Sequence, residues 1–466
     1  MMSETAIRGL IMLIPGAPLA GFLGLGAWSF LFRMPSERIV AFTARVALTL
    51  SWLASLAIAM EVISGRPPGA VHMFDWFQVG TYTFSFGAIV DELSAGMLVM
   101  ATAIIGLISR FAENYLHREP GFVRFYLLLL LFTVGMTTLV SSSSYDQLFI
   151  GWELVGITSV LLIAYFHERH GPVKASLRVL ATYRFADVGL LLGAVYLHQA
   201  LHHHGANIAF SGSDPEHAWP KGTFGLEPGE ADVVVLLFLL ACAGKSALFP
   251  LGGWLGRAME GPTPSSALFY GALSVHGGVY LMLRSAPILE EAHYAPMVVV
   301  AVGALTAAYG SIVSRVQSDV KNALAFSTMS QLGLMYVFIG LGWYRLAAVH
   351  LFGHAILRAW QMLRTPSALR DALATRNALS GAALHSDQWL AGWVPEPQRR
   401  ALFALALDRF HVDAMLEYWL VRPVLSVGSR TERFERAWAA LLSGWGAAAP
   451  REGRLTRTDT PAPRIP

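Results

Sequence analysis

Glu153, Lys245, His350 and His354 each lie in a stretch apolar enough to cross a membrane. An ionisable side chain at that depth is costly unless it faces a protein or water interior, so by default it marks a path for ions or protons. Glu153 sits in Gly151-Trp152-Glu153-Leu154-Val155-Gly156, and Lys245 in Gly244-Lys245-Ser246-Ala247 with Pro250 five residues on. Proline removes a donor and clashes with the preceding turn, so the helix carrying Lys245 is expected to bend or break. Backbone groups freed there need water or a polar neighbour, which suits a hydrated cavity. His350, His354 and Arg358 recur every four residues and therefore stack on one helix face. Histidine exchanges protons near neutral pH, and a desolvated lysine loses its proton more readily unless a carboxylate opposes it. A proton reaching Glu153 would loosen its hold on Lys245, which could pass its own proton onward.

Plainer roles exist for the same residues. Glu153 and Lys245 could form a static buried ion pair that fixes packing, and the histidines could be hydrogen-bonded core residues. His-x-x-x-His is also half of a helical zinc motif, but Leu351 follows His350 where a metalloprotease needs its glutamate, and no metal site is expected. Arg184 and Asp187, three apart, read as a packing or field-setting pair. Arg45 is expected to snorkel to the membrane surface.

Long apolar helices must position these groups, and the composition supplies them. Of 466 residues 55% are hydrophobic and 14% charged, against about 25% charged in a soluble domain. Mean hydropathy is +0.50, as for helices whose solvent is lipid. One cysteine, Cys242, excludes disulfides and cysteine-held clusters, and a net charge of +3 indicates no nucleic-acid-binding face. Spans of about 20 residues are expected at 7–32, 39–63, 87–109, 122–141, 145–166, 176–199, 232–255, 263–283, 296–314, 321–341 and 345–365. The first suits a retained span rather than a signal peptide. Connections after odd-numbered spans are the richer in Lys and Arg, including Arg33, Arg38, Arg118, Lys174, Arg257, Arg315 and Arg364. The N-terminus is therefore expected outside and the region after residue 365 in the cytoplasm.

The expected fold is an all-α polytopic membrane protein with about eleven transmembrane helices and a broken helix near Lys245. Interfacial or cytoplasmic helices follow, over 398–445, interrupted at Pro423. His202, His203 and His204 open a solvated loop to about residue 231, and the Pro-, Thr- and Arg-rich 450–466 is expected to be disordered. The chain divides into N-terminal helices (1–110), a first bundle (111–290), a shortened second bundle (291–365), partner-binding helices (366–449) and the tail (450–466). Gly21, Gly24 and Gly26 fall inside the first span, which excludes a dinucleotide fingerprint. No phosphate loop or nucleophile elbow is present, so no catalytic residues or cofactors are expected.

Several strings resemble the antiporter-like subunits of respiratory complex I and of Mrp antiporters, and among these subunit L (complex I subunit 5). They are Val90-Asp91-Glu92-Leu93-Ser94, Arg124-Phe125-Tyr126, Gly151-Trp152-Glu153, Arg184 with Asp187, Gly244-Lys245-Ser246-Ala247, Gly261-Pro262-Thr263-Pro264, Ser327-Thr328-Met329-Ser330-Gln331-Leu332-Gly333, and His350 with His354. They run in family order over about 85–360. The resemblance implies a proton-translocating inner-membrane subunit without redox cofactors, built on two inverted five-helix repeats that each contain a broken helix. It implies that Glu153 is the family glutamate, Lys245 the broken-helix lysine, and Lys321, His350 and His354 the central relay. Partners would be other membrane or peripheral subunits of a complex I-like assembly.

Three departures accompany the likeness. Tyr270 stands where the family usually has histidine, and a histidine, His276, appears six residues on. Arg358 replaces a lysine, and arginine does not deprotonate, so it can only bias its neighbours. After residue 365 the second broken helix is missing, while Val412-Asp413 and Val421-Arg422-Pro423 resemble the distal end of subunit L. That shortening is also similar to the membrane subunit of DabA–DabB-type inorganic-carbon uptake, whose partner is a large zinc protein. A non-conducting scaffold is a further reading, and the sequence does not distinguish protons from sodium.

Overall fold

The computed structural model describes residues 2–32, 34–80, 82–204, 219–378 and 395–442. Apart from one hairpin the described chain is helical. Helices α1 (Glu4–Leu31) and α2 (Glu37–Ile63) pair, and strands β1 (Gly69–Val79) and β2 (Tyr82–Val90) follow. Next come α3 (Glu92–Tyr115), α4 (Phe122–Ser141), α5 (Tyr145–Ile163), α6 (His170–His204) and α7 (Pro228–Lys245). Short α8 (Trp254–Arg257) and α9 (Thr263–Ser266) lead through a π-helical turn at Ala267–Ala272 into α10 (Ser274–Arg284) and α11 (Ala286–Glu291). Helices α12 (Ala295–Val316), α13 (Val320–Gly340) and α14 (Tyr344–Ala378) complete the bundle, and α15 (Glu396–Leu407), α16 (Val412–Leu416) and α17 (Arg422–Leu442) fold back against it.

Nine described spans are long and apolar enough to cross a membrane. This is an all-α polytopic integral membrane protein. Neither α7 nor α14 is among the nine: α7 carries Glu230, Asp232 and Lys245, and the apolar part of α14 is diluted by His350, His354, Arg358 and Gln361. The segment 263–284 reads as one span by composition but is built from α9, the π turn and α10.

The expected third span begins too early. Residues 87–90 belong to β2, and α3 starts after Asp91, whose carboxylate accepts from Ser94 N at 2.8 Å while Ser94 Oγ accepts from Asp91 N at 3.0 Å. The hairpin before it is held by rings, Phe74 on Phe86 at 5.0 Å and Phe77 on Phe84 at 5.3 Å, an alternation that hydropathy does not register. The loop expected from residue 200 begins later, since α6 continues to His204, and 205–218 lie outside the described residues. Arg45 is not simply snorkelling; it pairs with Glu113 at 2.8 Å. Positions 110, 290 and 365 each fall inside a helix: α3, α11 and α14. Pro423 does mark an interruption: 412–442 run on as one helical stretch, and a π-helical turn, Glu417–Val421, falls immediately before the proline, whose missing N–H removes a bond of the regular ladder. The tail 450–466 lies outside the described residues.

Two buried carboxylates organise the bundle around the break. Asp232 of α7 accepts from the backbone N–H groups of His293, Tyr294 and Ala295 at 3.1, 3.0 and 2.8 Å, tying α7 to the start of α12. Asp413 accepts from Arg257 at 3.2 Å and Arg409 at 2.8 Å, while Glu417 pairs with Arg178. These pairs anchor the distal helices beneath α8 and hold Arg409, Phe410 and His411 at φ of 54°, 55° and 57°. Each such left-handed residue costs about 1–2 kcal/mol, so the anchoring must outweigh that strain.

A candidate proton path through a broken helix

Lys245 is the last residue of α7, and it is 1% exposed. The helix stops there rather than at Pro250: Ser246 is its C-cap and Ala247 takes a φ of 53°, so the break falls on the lysine itself. Close packing brings it to α5 and α6. A Cβ on Gly244 would strike Ala186 Cβ, and one on Gly189 would strike the Leu237 carbonyl, so glycine at both positions lets α6 and α7 touch backbone to backbone. On α5, a Cβ at Gly156 would stand 3.0 Å from Lys245 Nζ, so Gly156 leaves room for the ammonium.

Among the described residues the ammonium has no carboxylate within ion-pairing distance. Lys245 Nζ donates to the Trp152 carbonyl at 3.0 Å and lies 4.6 Å from the ring centroids of both Trp152 and Tyr183. These are a neutral acceptor and two π faces. The expected Glu153–Lys245 contact is replaced by a longer connection. Glu153 pairs with Arg184, Arg184 reaches Asp187 at 2.8 Å, and Asp187 accepts from Trp152 Nε1 at 2.5 Å. Helix geometry explains this: Trp152 and Gly156, four apart, face Lys245, and Glu153 is rotated about 100° away. The Arg184 and Glu153 side chains are 44% and 25% exposed, so this pair opens on the flank of the bundle.

Across the break lies the imidazole group. His276 Nε2 meets His354 Nδ1 at 3.0 Å, and Arg358 Nε donates to His354 Nε2 at 3.4 Å. Arginine only donates, so His354 accepts at Nε2, carries its proton on Nδ1 and donates it to His276. Arg358 also donates to Ser327 Oγ at 3.1 Å, and His350 donates to Gln331 Oε1 at 3.0 Å. The His350 and His354 rings are 6.1 Å apart. Between the amine and this stack, Ser246 Oγ donates to the Val275 carbonyl at 2.7 Å and accepts from Tyr336 OH at 3.1 Å. The buried hydroxyls of Tyr183 and Ser274 face each other here, and that of Tyr270 has no hydrogen-bond partner among the described residues. Lys321 does not join either group. It stands in the first turn of α13, about 15 Å along the helix from Gln331, with no hydrogen bond or ion pair among the described residues.

Sequence reasoning missed Trp152, Tyr183, Gln331 and Ser327 as partners. Trp152 and Gly156 carried a signal in their four-residue spacing beside Glu153. Also missed was Arg284, which donates to Asp91 at 2.5 and 3.1 Å and to Tyr280 OH at 3.0 Å. Nothing in their separation of 193 residues announces that contact.

Residues 142–386 match the family model described as NADH:quinone oxidoreductase/Mrp antiporter, TM, and 76–126 match that of the complex I chain 5 N-terminus. The chain belongs to the NADH:quinone oxidoreductase/Mrp antiporter family. It is 35% identical to NADH-quinone oxidoreductase subunit L of Rhodobacter capsulatus over 363 residues, 75% of this chain and 50% of that protein. It is 30% identical to the chloroplastic NAD(P)H-quinone oxidoreductase subunit 5 of Angiopteris evecta over 452 residues, 93% of this chain and 55% of that one. The chain thus spans about half the length of the curated relatives it matches. Two solved structures share the fold. One is an archaeal membrane-bound sulfane sulfur reductase complex, with TM-score 0.63, 18% identity, and coverage of 90% of this chain and 88% of that one. The other is the Mrp complex of Dietzia, with TM-score 0.61, 23% identity, and coverage of 76% and 37%. Glu153, Arg184, Asp187, Lys245, His276, Lys321, His350, His354 and Arg358 all fall inside the family match.

Proposed function

We propose that this family member is a proton-conducting membrane subunit that couples transmembrane proton movement to a partner complex. The observation that carries the reading is the setting of Lys245: a buried ammonium at a helix break, resting on a carbonyl and two ring faces. Releasing its proton breaks no contacting ion pair. Buried hydroxyls such as those of Tyr183, Ser274 and Tyr270, the last without a partner among the described residues, are polar groups of the kind that hold water in a protein interior. They give a proton leaving Lys245 a way to His276 and on through His354 to His350. Arg358 holds His354 in one tautomer, and Glu153, Arg184 and Asp187 set the field at the amine. Lys321 would act, if at all, as an entry group at the end of α13.

The Glu153–Arg184 pair, half open at mid-span, is costly against lipid and suits a polar face of a neighbouring subunit. The relatives are named as subunits of NADH-quinone oxidoreductases, which supports a complex I-like assembly of membrane and peripheral partners in a bacterial inner membrane. The arginine-rich connections support an outside N-terminus and cytoplasmic distal helices. Acidification of proteoliposomes holding the purified assembly tests the reading. The wild type should carry protons and Lys245→Ala should fall to the leak of empty vesicles with assembly intact. Equal flux above the leak from both overturns the relay through Lys245, and leak alone from both leaves a scaffold. Mass spectrometry of what co-purifies identifies the partner. Redox and antiporter-like subunits would support a complex I-like machine, and one large zinc protein would move the same relay to carbon uptake.

A further inference from the structure

Helix α3 packs against α14 through Gly96 and Phe352, and with α2 it encloses a groove of about 310 Å3. Leu48, Ala103 and Gly106 make it apolar, and its polar groups lie in order along its length. At one end, beside the last two turns of α3, Arg45 and Arg110 share the single carboxylate of Glu113 at 2.8 and 2.7 Å, which leaves that end net positive. The hydroxyl-bearing Thr49 and Ser109 follow, and further in the indole N–H of Trp52 is buried with no acceptor among the described residues. An apolar slot whose polar groups are two guanidiniums against one carboxylate, two hydroxyls and an indole N–H favours a ligand that brings anionic and carbonyl oxygens on an apolar body. The rim points to the solvent from which that ligand comes. Val46, Leu53 and Leu107 beside the groove are 42%, 50% and 68% exposed, an apolar face turned to lipid. A helix, about 10 Å across, is too wide for this slot.

We propose that the groove is a binding site for an anionic phospholipid. Its phosphate bridges Arg45 and Arg110, its ester carbonyls face Thr49 and Ser109, and one acyl chain lies along Leu48 and Gly106 toward Trp52. The arginines stand at the helix ends where headgroups lie, and the excess positive charge distinguishes an anionic from a zwitterionic headgroup.

Gly106 provides the test. No atom lies within 4 Å of a Cβ built there, so Gly106→Ala should fold and bind as the wild type, and Gly106→Phe should fill the slot from the open side. The purified full chain, with the subunits it brings, is delipidated and titrated with phosphatidylglycerol or phosphatidylcholine of matched chains, and bound lipid is counted by native mass spectrometry. The expected result is one tightly held phosphatidylglycerol, preferred roughly tenfold, with that preference lost in Arg45→Gln and the binding lost in Gly106→Phe. Equal retention of the two lipids, or undiminished binding in Gly106→Phe, overturns the site. So does a photo-crosslink from position 107 that captures another subunit instead of lipid.

Discussion

Arg284 and Lys245 are both buried cations inside one helical bundle, 3% and 1% exposed, and they are held in opposite ways. Arg284 is gripped by both oxygens of Asp91 and by Tyr280, whose own hydroxyl donates to the Val140 carbonyl at 2.6 Å. That arrangement joins α3, α4 and α10 and carries a charge that never leaves. Among the described residues Lys245 has no anion in contact; it rests on a carbonyl and two rings, and the carboxylates of Glu153 and Asp187 are turned toward Arg184. Ion pairing at one end of the bundle therefore fixes structure, and its absence at the break allows a charge to come and go.

The comparison is broken most severely by Arg284→Gln. Removing one member of a buried pair strands the other and costs about 3–5 kcal/mol. That is a large fraction of what holds a bundle together, so the variant should fail to accumulate in the membrane, as read by immunoblot and by thermal unfolding of whatever is recovered. A normally assembled Arg284→Gln protein would show that the Asp91 pair is not a clamp.

Lys245 should behave in the reverse sense. Lys245→Ala is expected to assemble and to abolish flux. Lys245→Arg sharpens the test, since arginine keeps the charge and gives up no proton. Both should conduct at the vesicle leak. If Lys245→Arg conducts normally, a fixed charge suffices and the amine is another clamp.

The pairing of these groups was harder to read than their existence. An ionisable residue in an apolar string is visible one position at a time, so Glu153, Lys245, His350 and His354 stand out, as does the interruption near Pro250. Which of them touch depends on how helices rotate against one another. That rotation is set by glycines such as Gly189 and Gly244, whose role appears only when the neighbouring helix is in place. Glu153 was therefore matched to the wrong cation. His276 was noticed as a departure, but its 3.0 Å contact with His354 links α10 to α14 across 78 residues and leaves no periodic trace. The hairpin at 69–90 went unread because its signal is an alternation of aromatic rings, which mean hydropathy does not register.

The histidine stack predicts a smaller effect than the lysine. His354→Gln removes the ring that links His276 to Arg358 and should lower flux by roughly 100-fold, the low end of the range for a lost proton-transfer group. His276→Gln should lie within the same range. The double variant should be little worse than either single one, because both interrupt one path. Additive losses would instead place the two rings on separate paths, and unchanged flux in either would return them to the role of core histidines.

Lys321 gives the smallest expected effect and the sharpest test of resemblance against geometry. Its family counterpart belongs to a central relay, yet here it stands in the first turn of α13, partly exposed, about 15 Å along the helix from the Gln331 that holds His350. A proton would need several water-mediated steps to cover that distance, and an exposed lysine at a helix end exchanges with bulk water without help from the relay. Lys321→Ala should therefore change flux by less than about twofold, the scale of a single screened surface charge. The measurement is the initial acidification rate of proteoliposomes at low and high salt. A residual effect that vanishes at high salt fits a steering charge at the entry, whereas a loss as deep as that of Lys245→Ala at both salts would mean that α13 moves during turnover to bring Lys321 to the histidines.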